Sequence, residues 1–229
     1  MKLQKKYIQI EPSINPKIIG RSDLPLTVAI KDKNFVSQSS SYVVDFKRYF
    51  EDEDAAFTNL PDNIVGKMFQ KKHPVDIMGI MPHHPVILCI VSQKVIDILE
   101  KLQVNKKEYK FKKLEITGID TRYYFLITPI FKSSEYINFS KSQFTEVATG
   151  IDWGFPDYES YMLKTKSNKF VTKSICINPI LQNNDIIRIQ TVKTFFSERI
   201  INAFMKNEVV GYDIIKGGDF KIDLNFDTN

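Results

Sequence analysis

Two stretches of this sequence are built to one plan, and that plan limits the folds open to the chain. From Phe195 to Ile215 the residues read FFSERIINAFMKNEVVGYDII, and from Ile87 to Phe111 they read ILCIVSQKVIDILEKLQVNKKEYKF. In each, an apolar run meets a serine, a helix of about three turns follows, and a new strand comes after it. Ser92 and Ser197 stand at the helix N-cap, where a hydroxyl accepts an early backbone N–H. After Ser92, Val95, Ile98, Leu99 and Leu102 form an apolar stripe at helical spacing. After Ser197, Ile200, Ile201, Phe204 and Met205 form the inward face. Glu198 suits the positive end of that helix and Lys206 the negative end. Asn105 and Asn207 are the expected helix exits, Asn207 in the left-handed conformation.

The strand signals place these units in an α+β fold. They predict a mixed, mostly antiparallel sheet or sheets, a few short helices and a C-terminal β-hairpin. Tyr7, Ile8 and Ile10 begin a strand ended by Pro12. SQSSS at 37–41 reads as a polar loop, and VVDFKRYF at 43–50 suits a strand or a helix start equally. Tyr109 and Phe111 share one parity and Leu114 and Ile116 the other, so a bulge is expected near Lys113. YYFLI at 123–127 is apolar throughout, which predicts a central strand covered on both faces. Val210, Tyr212 and Ile214 alternate, Gly217-Gly218 turns the chain, and Phe220, Ile222, Leu224 and Phe226 alternate again, the pattern of a hairpin with one wet face. The expected division is a variable N-terminal lobe, residues 1–85, packed on a core of residues 86–229.

The chain has 229 residues, 43% apolar and 26% charged, a balance that supports a packed core rather than disorder. The formal charge of +5 is too small by itself to imply a nucleic-acid partner. MKLQKKYIQI has no apolar segment of signal-peptide length, and no run approaches the roughly 18 apolar residues that span a membrane. A soluble, cytoplasmic protein is expected, with Cys89 and Cys176 as buried free thiols.

No nucleotide-binding glycine loop, nucleophile elbow, zinc helix motif or paired C-x-x-C occurs in the sequence. The three histidines, His73, His83 and His84, crowd into a short span between prolines, and a zinc site needs three or four suitably spaced ligands. The expectation is therefore no enzyme, no cofactor and no metal. Two segments are candidates for partner contact by residue type. One is the acidic run Glu51, Asp52, Glu53 and Asp54, otherwise a solvated loop or helix start. The other is the Gly- and Pro-containing loop with Trp153, Phe155, Asp157, Tyr158 and Tyr161, whose aromatics either plug onto the core or anchor a protein partner. Lysines 106, 107, 110, 112 and 113, interleaved with Tyr109 and Phe111, suit a half-exposed strand or a single-stranded nucleic-acid platform.

Several landmarks fall in a familiar order. They are the strand entering Val91-Ser92 and its helix, Tyr123–Ile127, Ile137-Asn138-Phe139-Ser140-Lys141-Ser142, Ile186-Ile187-Arg188-Ile189, and Phe196-Ser197-Glu198-Arg199 leading to Val210-Gly211-Tyr212. Over residues 86–215 this order resembles a bacterial immunity-protein family encoded beside polymorphic secreted toxins. Asn138 stands where that family usually has Asp, Ile187 where it has Phe, and Val209-Val210-Gly211 where it has Leu-Thr-Gly. The resemblance implies a non-enzymatic protein that binds a cognate toxin domain and blocks its active site or substrate path.

Overall fold

The computed structural model describes residues 5–20, 24–44, 47–51, 57–70, 72–190 and 192–227. In chain order its elements are β1 (Tyr7–Pro12), α1 (Pro16–Ile19), β2 (Thr27–Ile30), α2 (Lys33–Val44), α3 (Lys47–Glu51), β3 (Ile64–Met68), β4 (Ile77–Met81) and β5 (Ile87–Ser92). Next come α4 (Gln93–Lys101), β6 (Lys110–Ile116), β7 (Ile119–Ile127), α5 (Ser133–Tyr136), β8 (Ile137–Glu146), β9 (Asp152–Trp153) and α6 (Tyr158–Thr165). The chain ends with β10 (Phe170–Ile177), β11 (Ile186–Arg188), β12 (Thr194–Ser197), α7 (Glu198–Lys206), β13 (Tyr212–Ile214) and β14 (Asp223–Phe226). The fold is α+β with mixed sheets.

Contacts divide the chain into two compact bodies. One comprises Met1–Gln9, Ile130–Glu198 and Ile214–Asn229; the other comprises Ile10–Pro129 and Arg199–Asp213. The boundary expected at 85/86 instead falls inside the second body, between paired strands β4 and β5.

The second body is a closed barrel ordered β2-β3-β6-β7-β5-β4. Its interior is filled by Val28, Met78, Ile90 and Phe125, all fully buried, each contributing about 1.5–3 kcal/mol by leaving water. A Cβ on Gly66 would lie 2.4 Å from Val28 Cγ1, so glycine at this inward position lets β2 and β3 approach. β7 is central, between β6 and β5, and the β6–β7 register shifts between Leu114 and Ile116, next to the bulge expected at Lys113. SQSSS is not a loop: α2 runs through it. Asp32 accepts the Phe35 N–H at 2.9 Å, and buried Phe35, Ser39 and Tyr42 form the inward stripe. Small polar serines fit a helix face that the composition alone assigns to a loop.

In the first body, β8 is flanked by β10 and β9 in the sheet β14-β10-β8-β9. Besides this sheet and the barrel, a further sheet is ordered β11-β12-β1-β13. The expected C-terminal hairpin does not form. β14 pairs parallel with β10, with Ile175 opposite Leu224 and Ile177 opposite Phe226. Alternation fixes which face of a strand is buried, not which neighbour it pairs with, and Phe226 is buried with Ile175 and Ile177 in one cluster. Ser142 holds the irregular β8–β10 pairing: its hydroxyl donates to the Asn138 carbonyl at 2.7 Å and accepts the Cys176 N–H at 3.0 Å.

The two strand–serine–helix units share one construction. Ser92 N–H donates to the Asp76 carbonyl at 2.9 Å, and its hydroxyl donates to the Asp76 carboxylate at 2.6 Å. Ser197 N–H donates to the Asp185 carbonyl at 2.7 Å, and its hydroxyl donates to the Asp185 carboxylate at 2.7 Å. A lysine joins each, Lys94 to Asp76 at 2.8 Å and Lys5 to Asp185 at 3.1 Å. Ser92 therefore does not act as the simple cap its position suggests. Ser92 makes no side-chain cap bond to α4, because its hydroxyl is committed to a carboxylate distant in sequence.

Both helices also leave alike. Gln103 and Glu208 take positive φ of 54° and 50°, in place of the expected Asn105 and Asn207. Val104 N–H returns to Leu99 O at 3.1 Å and Val209 N–H to Phe204 O at 3.0 Å, the long bond of a Schellman exit. Asp76 reaches beyond its own unit. Its second oxygen accepts the Val210 N–H at 3.0 Å, while Ile77 N–H donates to Val210 O at 3.1 Å. Gly211, at φ +100°, passes so close that a Cβ would lie 2.3 Å from Ile77 O. Burial, with the Asp76 charge adding to it, pushes the Tyr123 hydroxyl up to about 12.

Gly211→Ala meets both a positive φ and a backbone clash and should cost about 2–4 kcal/mol. Gly217→Ala, with nothing within 4 Å of its Cβ, should stay within about 0.5 kcal/mol. Urea midpoints compare the two, and equal midpoints would refute the close approach. Asp76→Ala strips an acceptor from three donors and should cost about 2–4 kcal/mol, against about 1 kcal/mol for Ser92→Ala. Equal losses in the same assay would contradict a central role for the carboxylate.

Candidate docking surface

The aromatic segment forms part of the core of the first body. Trp153 on β9 pairs with Phe144 on β8. Phe155 is 5% exposed and packs at 5.5 Å from Phe144, 5.3 Å from Tyr161 and 5.4 Å from Phe170. Tyr158 and Tyr161 lie 5.6 and 5.2 Å from Phe139. Pairs at these distances contribute about 0.5–1.5 kcal/mol each beyond their buried area. Phe155 therefore offers no face to a partner, while Trp153, Tyr158 and Tyr161 are half-buried.

The segment is also more regular than its Gly and Pro content suggests. Asp157 accepts the Ser160 N–H at 2.8 Å and caps α6. That bond holds its carboxyl below the usual range. α6 turns Tyr158 and Tyr161 inward and leaves Met162 and Leu163 40% and 68% exposed. Of the acidic run, Glu51 is exposed at the end of α3; Asp52, Glu53 and Asp54 lie outside the described residues.

The aliphatic neighbours of the aromatic segment are what it presents to solvent. Val147 and Ile151, at either side of the β8–β9 turn, are 58% and 56% exposed. The turn is held by Glu146, which accepts from Thr149 at 2.8 Å and from the Asn168 amide. Those bonds, with Lys164 and Trp153 adding to them, keep the Glu146 carboxyl low. Val147 N–H donates to Lys169 O at 2.8 Å, and Lys164 Nζ lies 4.7 Å from the Trp153 ring centre. The turn and the C-terminal end of α6 are thereby tied together. Asp152 accepts from Gln143 at 2.7 Å and from Thr145. Among the described residues, the side chains of Lys166 and Lys169 have neither ion pair nor hydrogen bond. Exposed aliphatics outside a predicted aromatic loop left no sequence signal beyond VATGI and the outward half of YMLK.

The basic strand is internally engaged. Lys106 bonds Glu100 at 2.7 Å and Tyr109 at 2.9 Å, Lys112 bonds the Leu60 carbonyl and pairs with Asp62 at 3.0 Å, and Lys113 pairs with Glu115 at 3.0 Å. Lys110 lies over Phe57 at 5.0 Å. Tyr109 is 2% exposed and cannot stack on a base.

A groove of about 450 Å³ in the first body is lined by Glu135, Tyr136, Ile137, Asn138, Asn178 and Asp227. Its Asp227 is held low by Lys141 at 2.6 Å and Asn138 at 2.7 Å. His84 is fully buried, 5.0 Å from Phe35. Among the described residues no group of three or more His, Cys, Asp or Glu is placed to hold a metal ion, and no helix is long and apolar enough to cross a membrane.

No protein-family profile matches the chain. A leucine–tRNA ligase from Prochlorococcus marinus subsp. pastoris is 25% identical over 203 residues, covering 87% of this chain and 22% of that protein. The chain thus spans under a quarter of the length of the curated relative it matches.

Glu146, Asp157 and Asp227 all sit below their ordinary values. As pH falls, the unfolded chain takes up protons before the native one, so acidification destabilises the fold. The contribution is present above the ordinary carboxylate range and lost as pH drops through the lowered values. Urea midpoints should fall between pH of about 5 and about 3. In Asp227→Asn the midpoint should start lower and fall less; a profile as steep as that of the parent would refute the assignment for Asp227.

Proposed function

We propose that this protein is a non-enzymatic immunity protein that acts in the cytoplasm, binding a cognate secreted toxin domain and occluding its active site or substrate path. The observation that carries this proposal is the repeated Asp-locked serine unit. The two landmarks on which the family resemblance most depends, Ser92 and Ser197 with their helices, are built alike down to the donor, the acceptor and the helix exit. Their order in the sequence therefore reflects one structural device used twice.

The residues that make the device are consumed by it, which leaves loops and helix faces free to follow a partner. A stable complex of this kind should bury more than about 1,000 Å². A nucleic-acid role through Lys106–Lys113 is the competing reading. It finds little support in Lys106, Lys110, Lys112 and Lys113, which already hold carboxylates, a carbonyl or rings.

The test is co-expression with the toxin encoded beside the protein's own gene. Growth should be restored, and a stoichiometric complex should survive gel filtration. Undiminished killing, with no complex, would end the proposal. The same preparation should not retain tRNA or single-stranded DNA at low salt; salt-sensitive retention would favour the competing reading.

A further inference from the structure

We infer that the outward face of α6 is a self-association surface. Two copies of this chain pair there, their α6 helices antiparallel about a two-fold axis, with Glu159 of each facing the partner's Lys166. The inference goes beyond the immunity reading and does not depend on it, and its test needs no toxin.

Glu159, Met162, Leu163 and Lys166 stand at i, i+3, i+4 and i+7, which at 3.6 residues per turn places them within a sector of about 100° on the helix surface. Lys166 is the C-cap and keeps the right-handed helical conformation, so it continues that sector. Tyr158 and Tyr161 point the other way, into Phe139, and all four residues of the sector are exposed. The Asp157 cap and the two tyrosines hold the helix in place, so little order has to be gained on pairing. Glu159 and Lys166 lie about 10 Å apart along the axis, too far to pair with one another. Among the described residues neither side chain makes an ion pair or hydrogen bond.

The order acid, aliphatic, aliphatic, base selects a second copy. Laid antiparallel about an axis between positions 162 and 163, two such faces bring Met162 against the partner's Leu163. The same operation sets each Glu159 against the partner's Lys166, so both charges find opposites at once and the helix dipoles oppose. A parallel pairing would set acid beside acid and base beside base, and a partner of one charge sign would repel one end of the face. Exposed aliphatics elsewhere lack this symmetry. Ile180 sits on a three-residue 3-10 turn, and Val65 lies on β3, a strand already paired on both edges within the barrel. Val36 and Val43 share α2, which carries no acid.

Sedimentation equilibrium of the full-length protein tests this. The face is small, so a weak dimer is expected, with a dissociation constant on the order of 100 μM. Glu159→Lys alone and Lys166→Glu alone each put like charges opposite one another at both ends, and each should weaken the dimer by about 10-fold or more. Mixed in equal amounts, the two single variants complement each other at both ends and should form a heterodimer as tight as the parent dimer. Met162→Glu with Leu163→Glu should leave only monomer. All these sites are exposed, and an unchanged urea midpoint for each variant confirms that folding is intact. A parent that stays monomeric up to about 1 mM overturns the inference, whatever becomes of the immunity reading. A parent dimer that the variants leave unchanged overturns the surface, and failure of the mixed variants to dimerise overturns the antiparallel pairing.

Discussion

A buried carboxylate that receives a serine from the end of a strand is the interaction on which this architecture turns. The Asp76 side chain is 11% exposed yet accepts from Ser92, Lys94 and the Val210 amide. A carboxylate out of water is costly unless its lone pairs are filled, and these three donors fill them. Because Ser92 also donates its N–H to the Asp76 carbonyl, one residue fixes both the strand end and the first turn of α4. The arrangement places negative charge beside a helix start, where the helix dipole favours it. Asp185 and Ser197 repeat the device in the other body. Tyr7 strengthens that setting by donating to the neighbouring Asn184 carbonyl at 2.7 Å.

The Asp76 lock also explains why the chain returns to the barrel after α7. Val210 bonds Asp76 by its N–H and Ile77 by its carbonyl, and Gly211 then passes against the Ile77 backbone. Ser13 N–H donates to the Gly211 carbonyl at 2.8 Å, so the glycine sits between two segments far away in sequence. The Val209-Val210-Gly211 sequence supplies what this geometry needs. Val209 remains a buried apolar residue at the helix exit, position 210 contributes only its backbone to the lock, and glycine alone tolerates position 211.

Much of this was legible in the sequence where periodicity and chemistry agreed. The α4 stripe, the covered strand at Tyr123–Ile127 and the bulge in β6 follow from apolar spacing, as does the α7 face of Ile200, Ile201 and Phe204, although Met205, expected inward, is 52% exposed. What was not legible required a partner distant in sequence. Nothing in VSQK marks Asp76 as the group that takes the Ser92 hydroxyl, so the serine reads as a cap. Nothing in FKIDLNF names β10 rather than β13 as its neighbour, so alternation after a Gly-Gly turn reads as a hairpin. α2 was hidden because serines are weak helix formers, and the burial of Phe35, Ser39 and Tyr42 on its inward face is a tertiary effect. The two-body division was hidden because each body gathers segments from several parts of the chain. Local composition shifts such as the one near residue 85 do not track that gathering.

The same distinction separates fold from recognition in the aromatic segment. Large flat side chains attract attention as binding anchors, yet they are also the most effective filler for a small body. Here Phe139, Phe144, Phe155 and Tyr161 meet ring against ring. Removing one for a partner would open a cavity costing about 3–5 kcal/mol, too much for a protein of ordinary marginal stability. The aliphatic residues outside the cluster carry no such cost: Leu163 and Ile151 are already in water. The aromatic rings therefore serve the packing of this body rather than its surface. Exchange of exposed aliphatics such as Leu163 and Ile151 should leave the fold intact.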